Sequence, residues 1–397
     1  MSIKKFPPLA GMDTFNEDTA LERGGDNPAL YVRDAVNVDF NSIGQVQLRR
    51  GIRLRSEIAY KHLWQSSLHG DCFATLGQDW VKLSLSDWSC EVLLSDVVQG
   101  EVNHLVLNNR VLMCCSTGLY VYDGRSAGTL TIPTPAQPQV SITGDGALLP
   151  GRYGFAISWL LNGVESALSE VFHIELNETN GVNIQFPLAL DDRLTHICLY
   201  MTEPNGGELR KFESYSVSEL NVPVTLADSL GKSAQFKNLS PMPAGQFCRL
   251  WRGRLVVAKS NVLHFSEPMT YHLTDKRYNF VLFPQRITFV EAVEGGLWVG
   301  QVDHVVFLRG ADLKDLVMDK KASGRPIPFS SAVLKSSVLD LDISQGVETA
   351  IWLSDKGYVL GTAAGQLLEV QADHLNNLSA TRGHTVGFDH KIVTIVS

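Results

Sequence analysis

The chain has 397 residues, of which 44% are hydrophobic and 19% are charged, and its formal net charge is -8. This composition is typical of a folded protein with a large core and excludes wholesale disorder. The acidic balance argues against sequence-specific recognition of nucleic acid, because phosphates attract basic surfaces. No apolar run approaches the roughly 20 residues that span a bilayer, and the opening MSIKKFPPLAGMD lacks the apolar segment of a secretory signal.

Residues 1–56 are predicted to form an N-terminal arm and a β-hairpin. Apolar and polar residues alternate over Val36–Phe40 and again over Gln45–Arg49, on either side of the turn residues Asn41–Gly44. This pattern indicates a hairpin with one polar face. The end of the hairpin carries a group of close arginines, Arg49, Arg50, Arg53 and Arg55. Two interpretations remain open: a solvated strand end, or a basic patch that docks on an acidic partner surface.

Residues 57–135 are predicted to be the first part of a repeated β structure. The stretches CFATLGQDWVKLSL and RVLMCCSTGLYVYDG each contain two apolar strands around a tight turn. The polar breaks before them, at His69 and Asn109, lie about 40 residues apart, a spacing typical of four-stranded units. The prolines Pro133, Pro135 and Pro138 then have the composition of a linker.

Residues 136–243 show a different pattern, with closely spaced strands separated by turns such as Asn162–Gly163 and Asn205–Gly207. This spacing predicts an antiparallel β-sandwich of about 100 residues. The segments GRYGFAISWLLNGVESALSE and ICLYMTEPNGG resemble a fibronectin type III module, and the resemblance covers roughly Pro138 to Asn238.

Residues 244–397 return to the first pattern, beginning with QFCRLWRGRLVVAKSNVLHFSEP. Its two apolar runs face each other across Lys259–Ser260, which predicts a β-hairpin. We expect the second strand to stop at Pro268, because proline has no N–H for the ladder. The residues that define this motif are Gly253, Arg254, Phe265, Ser266, Glu267 and Pro268. Two similar units follow, ITFVEAVEGGLWVGQVDHVVFLRG and ETAIWLSDKGYVLGTAAGQLLEV.

Five such units, spaced by about 40 to 50 residues, predict an all-β fold: a β-propeller of five or six blades with the sandwich inserted between its second and third recognisable blades. The alternative is a series of unrelated β-sandwich domains. The last stretch, HTVGFDHKIVTIVS, is expected to close the propeller by completing a blade that the N-terminal strands begin.

The residues do not form a recognisable chemical site, and we predict that the protein is not an enzyme and needs no cofactor or metal. The eleven histidines show no HxH or HExxH pattern, and the chain has no GxSxG nucleophile motif. His264 and His304 fall within apolar strands and are predicted to be structural. Asp340 and Asp342 are expected to face solvent. The six cysteines form no CxxC pair, and we expect buried thiols of a protein that folds in a reducing cytoplasm.

The stretches AVNVDFNSIGQVQLRRG, NGVESALSE, PMPAGQ and RGRLVVAKSNVLHFSEPMTYHL resemble tail proteins of tailed bacteriophages, above all the nozzle, or tail hub and stabilisation, proteins. This resemblance implies a structural virion protein, repeated six times in a ring below the portal and adaptor. The ring would continue the channel through which DNA passes without sequence-specific binding. The resemblance rests on a structural hairpin, so it transfers no catalytic residue.

Two other functions remain open at this stage. One is a carbohydrate-binding or glycan-cleaving propeller at the host surface, since the chain has several aromatic residues and many carboxylates. The other is a tail-fibre adaptor. If the chain forms a ring, its subunits meet through head-to-tail interfaces that close. The N-terminal segment and the loops of the inserted sandwich are the predicted contacts.

Overall fold

The structure, a computed structural model, describes residues 8–23, 29–41, 43–49, 51, 53–67, 69–334, 347–388 and 391–397. Within these ranges the regular structure is β, apart from two short 3-10 helices at Asp18–Ala20 and Leu313–Asp315. In this part of the chain, neither helical segment is long and apolar enough to cross a membrane.

The N-terminal arm contains five short strands in two small sheets, β1 (Leu9–Met12), β2 (Glu22–Arg23), β3 (Ala29–Val32), β4 (Val38–Phe40) and β5 (Val46–Leu48). The first sheet has the order β1-β3-β2, with β1 parallel to β3. The second is the antiparallel hairpin of β4 and β5, in which Val38 pairs with Leu48. The predicted N-terminal hairpin is therefore formed.

Two four-stranded antiparallel sheets follow, and each is a meander in which consecutive strands pair. Blade 1 consists of β6 (Lys61–Gln65), β7 (Cys72–Leu76), β8 (Asp79–Leu83) and β9 (Cys90–Leu94). Blade 2 consists of β10 (Asn103–Leu107), β11 (Arg110–Cys114), β12 (Leu119–Tyr122) and β13 (Ala127–Thr129). The central strands of both blades are buried on both faces, which explains their nearly continuous apolar sequences.

The inserted sandwich has two antiparallel sheets that enclose one core. Its strands are β14 (Gln139–Ile142), β15 (Gly151–Leu161), β16 (Val164–Glu165), β17 (Phe172–Leu176), β18 (Val182–Gln185), β19 (His196–Met201), β20 (Arg210–Ser216) and β21 (Asn221–Val224). One sheet has the order β14-β18-β21, and the other has the order β16-β15-β19-β20 with β17 also paired to β15. The turn between β15 and β16 uses Asn162 and Gly163, both at positive φ, as a tight hairpin turn requires.

Three further four-stranded sheets complete the repeat. Blade 3 consists of β23 (Phe247–Trp251), β24 (Arg254–Lys259), β25 (Val262–Phe265) and β27 (Phe280–Leu282), flanked by the small pair β22 (Ser240–Pro241) and β26 (Leu273–Thr274). Blade 4 consists of β28 (Ile287–Val293), β29 (Gly296–Gln301), β30 (Val305–Arg309) and β31 (Val317–Lys321). Blade 5 consists of β32 (Ala332–Leu334), β33 (Thr349–Ser354), β34 (Gly357–Gly361) and β35 (Leu367–Glu369). The chain then forms β36 (Gly383–Phe388) and β37 (Lys391–Val396).

Neighbouring blades share hydrophobic cores. Blades 1 and 2 pack through Phe73, Trp80 and Met113, and blades 4 and 5 pack through Trp298 and Trp352. Separate buried clusters join blade 2 to blade 3 and blade 3 to blade 4. A blade cannot bury both of its faces alone, so these shared cores are what hold the repeat together. The predicted propeller with an inserted sandwich is confirmed, because unrelated sandwiches in series would not share cores in this way.

The structure corrects two details of the sequence prediction. The turn of the hairpin in blade 3 lies at Ser260–Asn261 rather than at Lys259–Ser260, and Ser260 takes the positive φ of 56°. The strand β25 ends at Phe265, before Pro268, because the next residue, the buried Ser266, pairs with Leu255 through its side chain: its hydroxyl accepts from the Leu255 N–H at 2.9 Å. The turn itself lies at Pro268–Met269.

The ends of the chain are joined, but not through a shared sheet as predicted. The last strand β37 pairs with β36, its neighbour in sequence. The N-terminal arm instead docks on the segment after blade 5, where the Asp13 carboxylate accepts from His374 at 3.0 Å and Tyr31 stacks on the His374 ring. Lys391 forms an ion pair with Asp39 at 2.7 Å. These contacts connect both termini to the side of the last blade.

Asp13 is the buried centre of this N-terminal contact. Its carboxylate accepts from the backbone N–H groups of Phe15 and Asn16, at 3.0 and 2.9 Å, as well as from the Asn16 and His374 side chains. Burial by itself would raise the pKa of Asp13, but these hydrogen bonds outweigh it and hold the pKa well below its usual value. Asp13 therefore contributes stability above its unfolded pKa and loses it as the pH falls below about 4.

We expect Asp13→Asn to lower the thermal midpoint at pH 7, because an amide cannot accept all of these hydrogen bonds. The substitution should lower the free energy of unfolding by about 1–3 kcal/mol. The difference between wild type and variant should shrink from pH 4 towards pH 3, as the wild-type carboxylate also loses its contribution. Asp18→Asn is the control, since Asp18 is exposed and pairs with Arg33 at the surface. A difference that stays constant from pH 7 to pH 3 would contradict this role of Asp13.

Candidate interaction surfaces

Three of the arginines predicted to dock a partner, Arg49, Arg53 and Arg55, are exposed, and we call residues 45–49, 51 and 53–55 the basic strip. Arg49 is exposed and forms an ion pair with Asp39 at 3.4 Å, and Arg53 and Arg55 are exposed without an ion-pair partner in the described residues. Arg50 lies outside the described residues. The strip also exposes apolar side chains, Val46 at 51%, Leu48 at 87% and Leu54 at 79%. Large apolar side chains grouped on a surface mark interaction sites.

The inserted sandwich carries most of the net negative charge. Residues 138–238 contain twelve Asp and Glu against six Lys and Arg, a balance of -6 out of -8 for the whole chain. By contrast, residues 45–55 contain four arginines and no acidic residue. The two parts of the molecule therefore have opposite charge.

One end of the sandwich combines this charge with exposed apolar side chains. We call it the acidic end, and it consists of Leu188, Leu190, Asp191, Asp192, Glu219 and Leu220. Leu188 is 68% exposed, Leu190 94% and Leu220 40%. The Phe186 N–H donates to the Leu220 carbonyl at 2.9 Å, which places the two loops side by side. The Arg193 guanidinium holds the pKa of Asp191 below its usual value, while Asp192 is exposed and has no ion-pair partner in the described part of the chain.

The residues of the blade 3 motif serve the structure of the blade. Phe265 and Ser266 are fully buried. The Arg254 guanidinium donates to the Ser266 carbonyl at 2.7 Å, and the Glu267 carboxylate accepts from the Asn279 amide at 2.6 Å. Gly253 has φ of 70°, which allows the tight turn between β23 and β24, and Pro268 is exposed. The polar groups of this motif form local hydrogen bonds within the blade, so we assign no binding role to the motif.

The centre of the propeller is filled by a polar network from four blades, which the sequence analysis did not predict. Arg249 of β23 forms a bidentate ion pair with Glu291 of β28, with both N–O distances 2.7 Å. The same guanidinium donates to Asn103 of β10, and the Ser331 hydroxyl, next to β32, donates to Glu291 at 2.7 Å. Glu291 is 1% exposed. Burial opposes the charge of Arg249, but the adjacent carboxylate outweighs it and raises the pKa of Arg249.

The histidines predicted to be structural are held within the blades. His304 is 9% exposed, and its two ring nitrogens contact Asp303 and Gln301. Burial lowers the pKa of His264, with the nearby lysines adding to the effect. Among the described residues, no group of three His, Cys, Asp or Glu could hold a metal ion. Asp340 and Asp342 lie outside the described residues, and all six cysteines are free thiols, five of them buried.

No family model matches this chain, and no curated protein matches it. The solved structures that match include BBS1N in complex with ARL6DN, at 10% identity and a TM-score of 0.33, covering 85% of this chain and 90% of that chain. Hsv2 of Kluyveromyces marxianus matches at 10% identity and a TM-score of 0.32, covering 85% and 88%. Sqt1 of Saccharomyces cerevisiae matches at 8% identity and a TM-score of 0.32, covering 84% and 78%.

These comparisons overturn the assignment to the phage tail nozzle or hub family, which was wrong. No family model supports that assignment, and the structures above are propeller proteins of other kinds. The physical reason is that the stretch RGRLVVAKSNVLHFSEP is a strand, a tight turn and a second strand, which blade geometry requires of any propeller. Such a hairpin therefore carries information about the fold and none about the family.

Proposed function

We propose that the protein is a structural, non-enzymatic subunit that assembles head to tail with copies of itself. In this proposal the basic strip of one copy binds the acidic end of the sandwich of the next. The observation that carries it is the match between the two surfaces, since each combines exposed leucines with a net charge, and the two net charges are opposite.

The two surfaces belong to different parts of the chain, so their contact is heterologous rather than two-fold symmetric. Heterologous contacts give a closed ring if the rotation between neighbours closes, and a filament if it does not. A propeller whose blades share cores suits such a subunit, because the edges of its sheets are short and its shape resists deformation. A six-membered ring, a channel for DNA and a location in a virion remain predictions.

The energetics of this contact would be divided between its two components. Apolar side chains such as Leu48 and Leu190 would supply affinity by leaving water. Charged groups such as Arg53 and Asp192 would mainly orient the subunits and speed their association, in a salt-dependent way. We therefore expect assembly to weaken as the ionic strength rises, without being abolished.

The test is the mass of the full chain by light scattering after size exclusion, over a range of concentrations and at low and high salt. We expect Arg49→Glu, Arg53→Glu and Arg55→Glu together to raise the dissociation constant at least about 100-fold. Reversal of the acidic end, Asp192→Lys with Glu219→Lys, should do the same. A mixture of the two reversed proteins should assemble again, because the charges are then opposite.

Arg125→Glu is the matched control, since Arg125 is an exposed arginine on a loop of blade 2, outside the basic strip. Leu48→Ser with Leu54→Ser tests the apolar component without changing any charge. A wild-type chain that stays monomeric at about 100 μM, or assemblies that all variants form equally well, would refute the proposal. Far-UV circular dichroism of each variant establishes that the β fold is retained.

A further inference from the structure

A cleft of about 700 Å³ lies between blades 3, 4 and 5, and it is lined by none of the residues of the basic strip or the acidic end. It is bordered by the start of β28, the loop between β29 and β30, the connection from blade 4 to blade 5, and the segment before β36. Its volume lies within the range of sites that bind ligands. The side chains that matter for its chemistry are Arg286, Val302, Arg325, Ile327, Pro328 and Phe329.

The apolar wall of the cleft is held in place before any ligand binds. Phe329 has φ of 63°, which is uncommon for a bulky residue and persists only when its surroundings fix it. Its N–H donates to the Thr288 carbonyl at 3.1 Å, and its ring packs on Phe247 with centroids 5.0 Å apart. Ile327 is 3% exposed beneath it. The wall therefore offers a preformed apolar surface, with little entropy to lose on binding.

Two cations at this cleft have no anionic partner. Arg286 and Arg325 are both exposed, and neither has a carboxylate within 4 Å among the described residues. The nearest polar contact of the Arg286 guanidinium is the Gln246 amide oxygen at 3.4 Å. The nearby Asp303 carboxylate contacts Gln285 and His304 and forms no ion pair with either arginine within the described residues.

An acceptor at the rim, the backbone oxygen of Ser397, already has hydrogen-bond partners. The backbone oxygen of Ser397 lines the cleft and accepts from the Thr381 N–H at 2.8 Å, the Thr381 hydroxyl at 2.7 Å and the Arg382 N–H. The cleft therefore combines an apolar wall with two guanidinium groups that have no carboxylate partner among the described residues. Guanidinium groups prefer planar carboxylates, which they bind through two parallel hydrogen bonds.

We propose that this cleft binds an extended peptide segment of a partner protein, in which an apolar side chain lies between carboxylates. The apolar side chain packs on the partly exposed Pro328 and Phe329, and the flanking carboxylates pair with Arg286 and Arg325. The choice of an acidic peptide follows from charge complementarity, because two unpaired cations border an apolar surface that a polyanion such as nucleic acid would leave unfilled. The site is independent of the basic strip and the acidic end.

The probe is a fluorescein-labelled twelve-residue peptide of alternating Asp and Leu, titrated with the full chain and followed by fluorescence anisotropy. We expect saturable binding with a dissociation constant below about 100 μM, which corresponds to a binding free energy of about -5.5 kcal/mol or stronger. A peptide of alternating Lys and Leu should not bind, and one of alternating Asp and Ser should bind at least about tenfold more weakly.

The variants Arg286→Gln and Arg325→Gln are each expected to weaken binding about fivefold or more, and together to abolish it. Val302 is half-exposed at the rim, so Val302→Asp places a carboxylate there and should also abolish peptide binding. Arg125→Gln is the control on a distant exposed arginine and should bind as wild type does. The charge-reversed basic strip should also bind normally, which separates this proposal from the self-assembly above.

Four outcomes overturn the proposal. The first is no saturable binding of the Asp and Leu peptide below about 1 mM, the second is equal binding of the Lys and Leu peptide, and the third is wild-type affinity in the double arginine variant. Binding of 4-phenylbutyrate at the same cleft without binding of the peptide would also overturn it, because the site would then take small carboxylates rather than a protein segment.

Discussion

Replacing Glu291 by leucine is expected to lower the free energy of unfolding by about 3–5 kcal/mol. Arg249 would then lie at the propeller axis without its carboxylate, although its side chain is only 20% exposed. The Asn103 amide would remain its one side-chain acceptor. A buried ion pair contributes little in net terms, but an unpaired buried charge is costly because it keeps the full desolvation penalty.

The double variant Arg249→Met with Glu291→Leu should recover most of this loss, because it removes both charges and fills the axis with apolar groups. Urea unfolding followed by tryptophan fluorescence gives the midpoint and slope for each protein. Arg277→Met is the control, since Arg277 pairs with Asp275 at the surface and its loss should leave the midpoint almost unchanged. A double variant that is no more stable than Glu291→Leu would contradict this account of the axis.

The second large effect is expected from Trp352→Ala, which should lower the free energy of unfolding by about 3–5 kcal/mol. Trp352 is fully buried between blades 4 and 5, where its ring lies 5.1 Å from Phe289 and 5.4 Å from Trp298. Removing it leaves a cavity between two blades that β-sheets cannot collapse to fill. Its indole nitrogen has no hydrogen-bond partner in the described residues, so the loss is one of packing.

Trp159→Ala is the matched control for this prediction, because Trp159 is buried at 4% exposure in the core of the sandwich rather than of the propeller. Calorimetry should show that Trp352→Ala lowers the midpoint temperature of the propeller transition, while Trp159→Ala lowers the midpoint temperature of the sandwich transition. If both variants shift a single common transition by the same amount, the two parts unfold as one unit and the expectation of separate cores is wrong.

The sequence alone predicted the elements whose cause is local. Alternation over Val36–Phe40 and Gln45–Arg49 predicted the N-terminal hairpin, and Asn162–Gly163 predicted a turn, because strand pleat and turn dihedrals are set within a few residues. The spacing of these units predicted a propeller. The assignment to a family failed for the same reason, since a strand–turn–strand pattern is shared by all blades.

The tertiary structure decided everything that depends on the order of the blades around the axis. Arg249 pairs with Glu291, 42 residues away, and with Asn103, 146 residues away, across three different blades. The cleft likewise joins segments that no local pattern connects, and the Asp13–His374 contact spans 361 residues. Periodicity specifies which face of a strand is buried, but it does not specify which strand lies opposite. That choice depends on how five sheets pack around one centre, where the charges of separate blades meet.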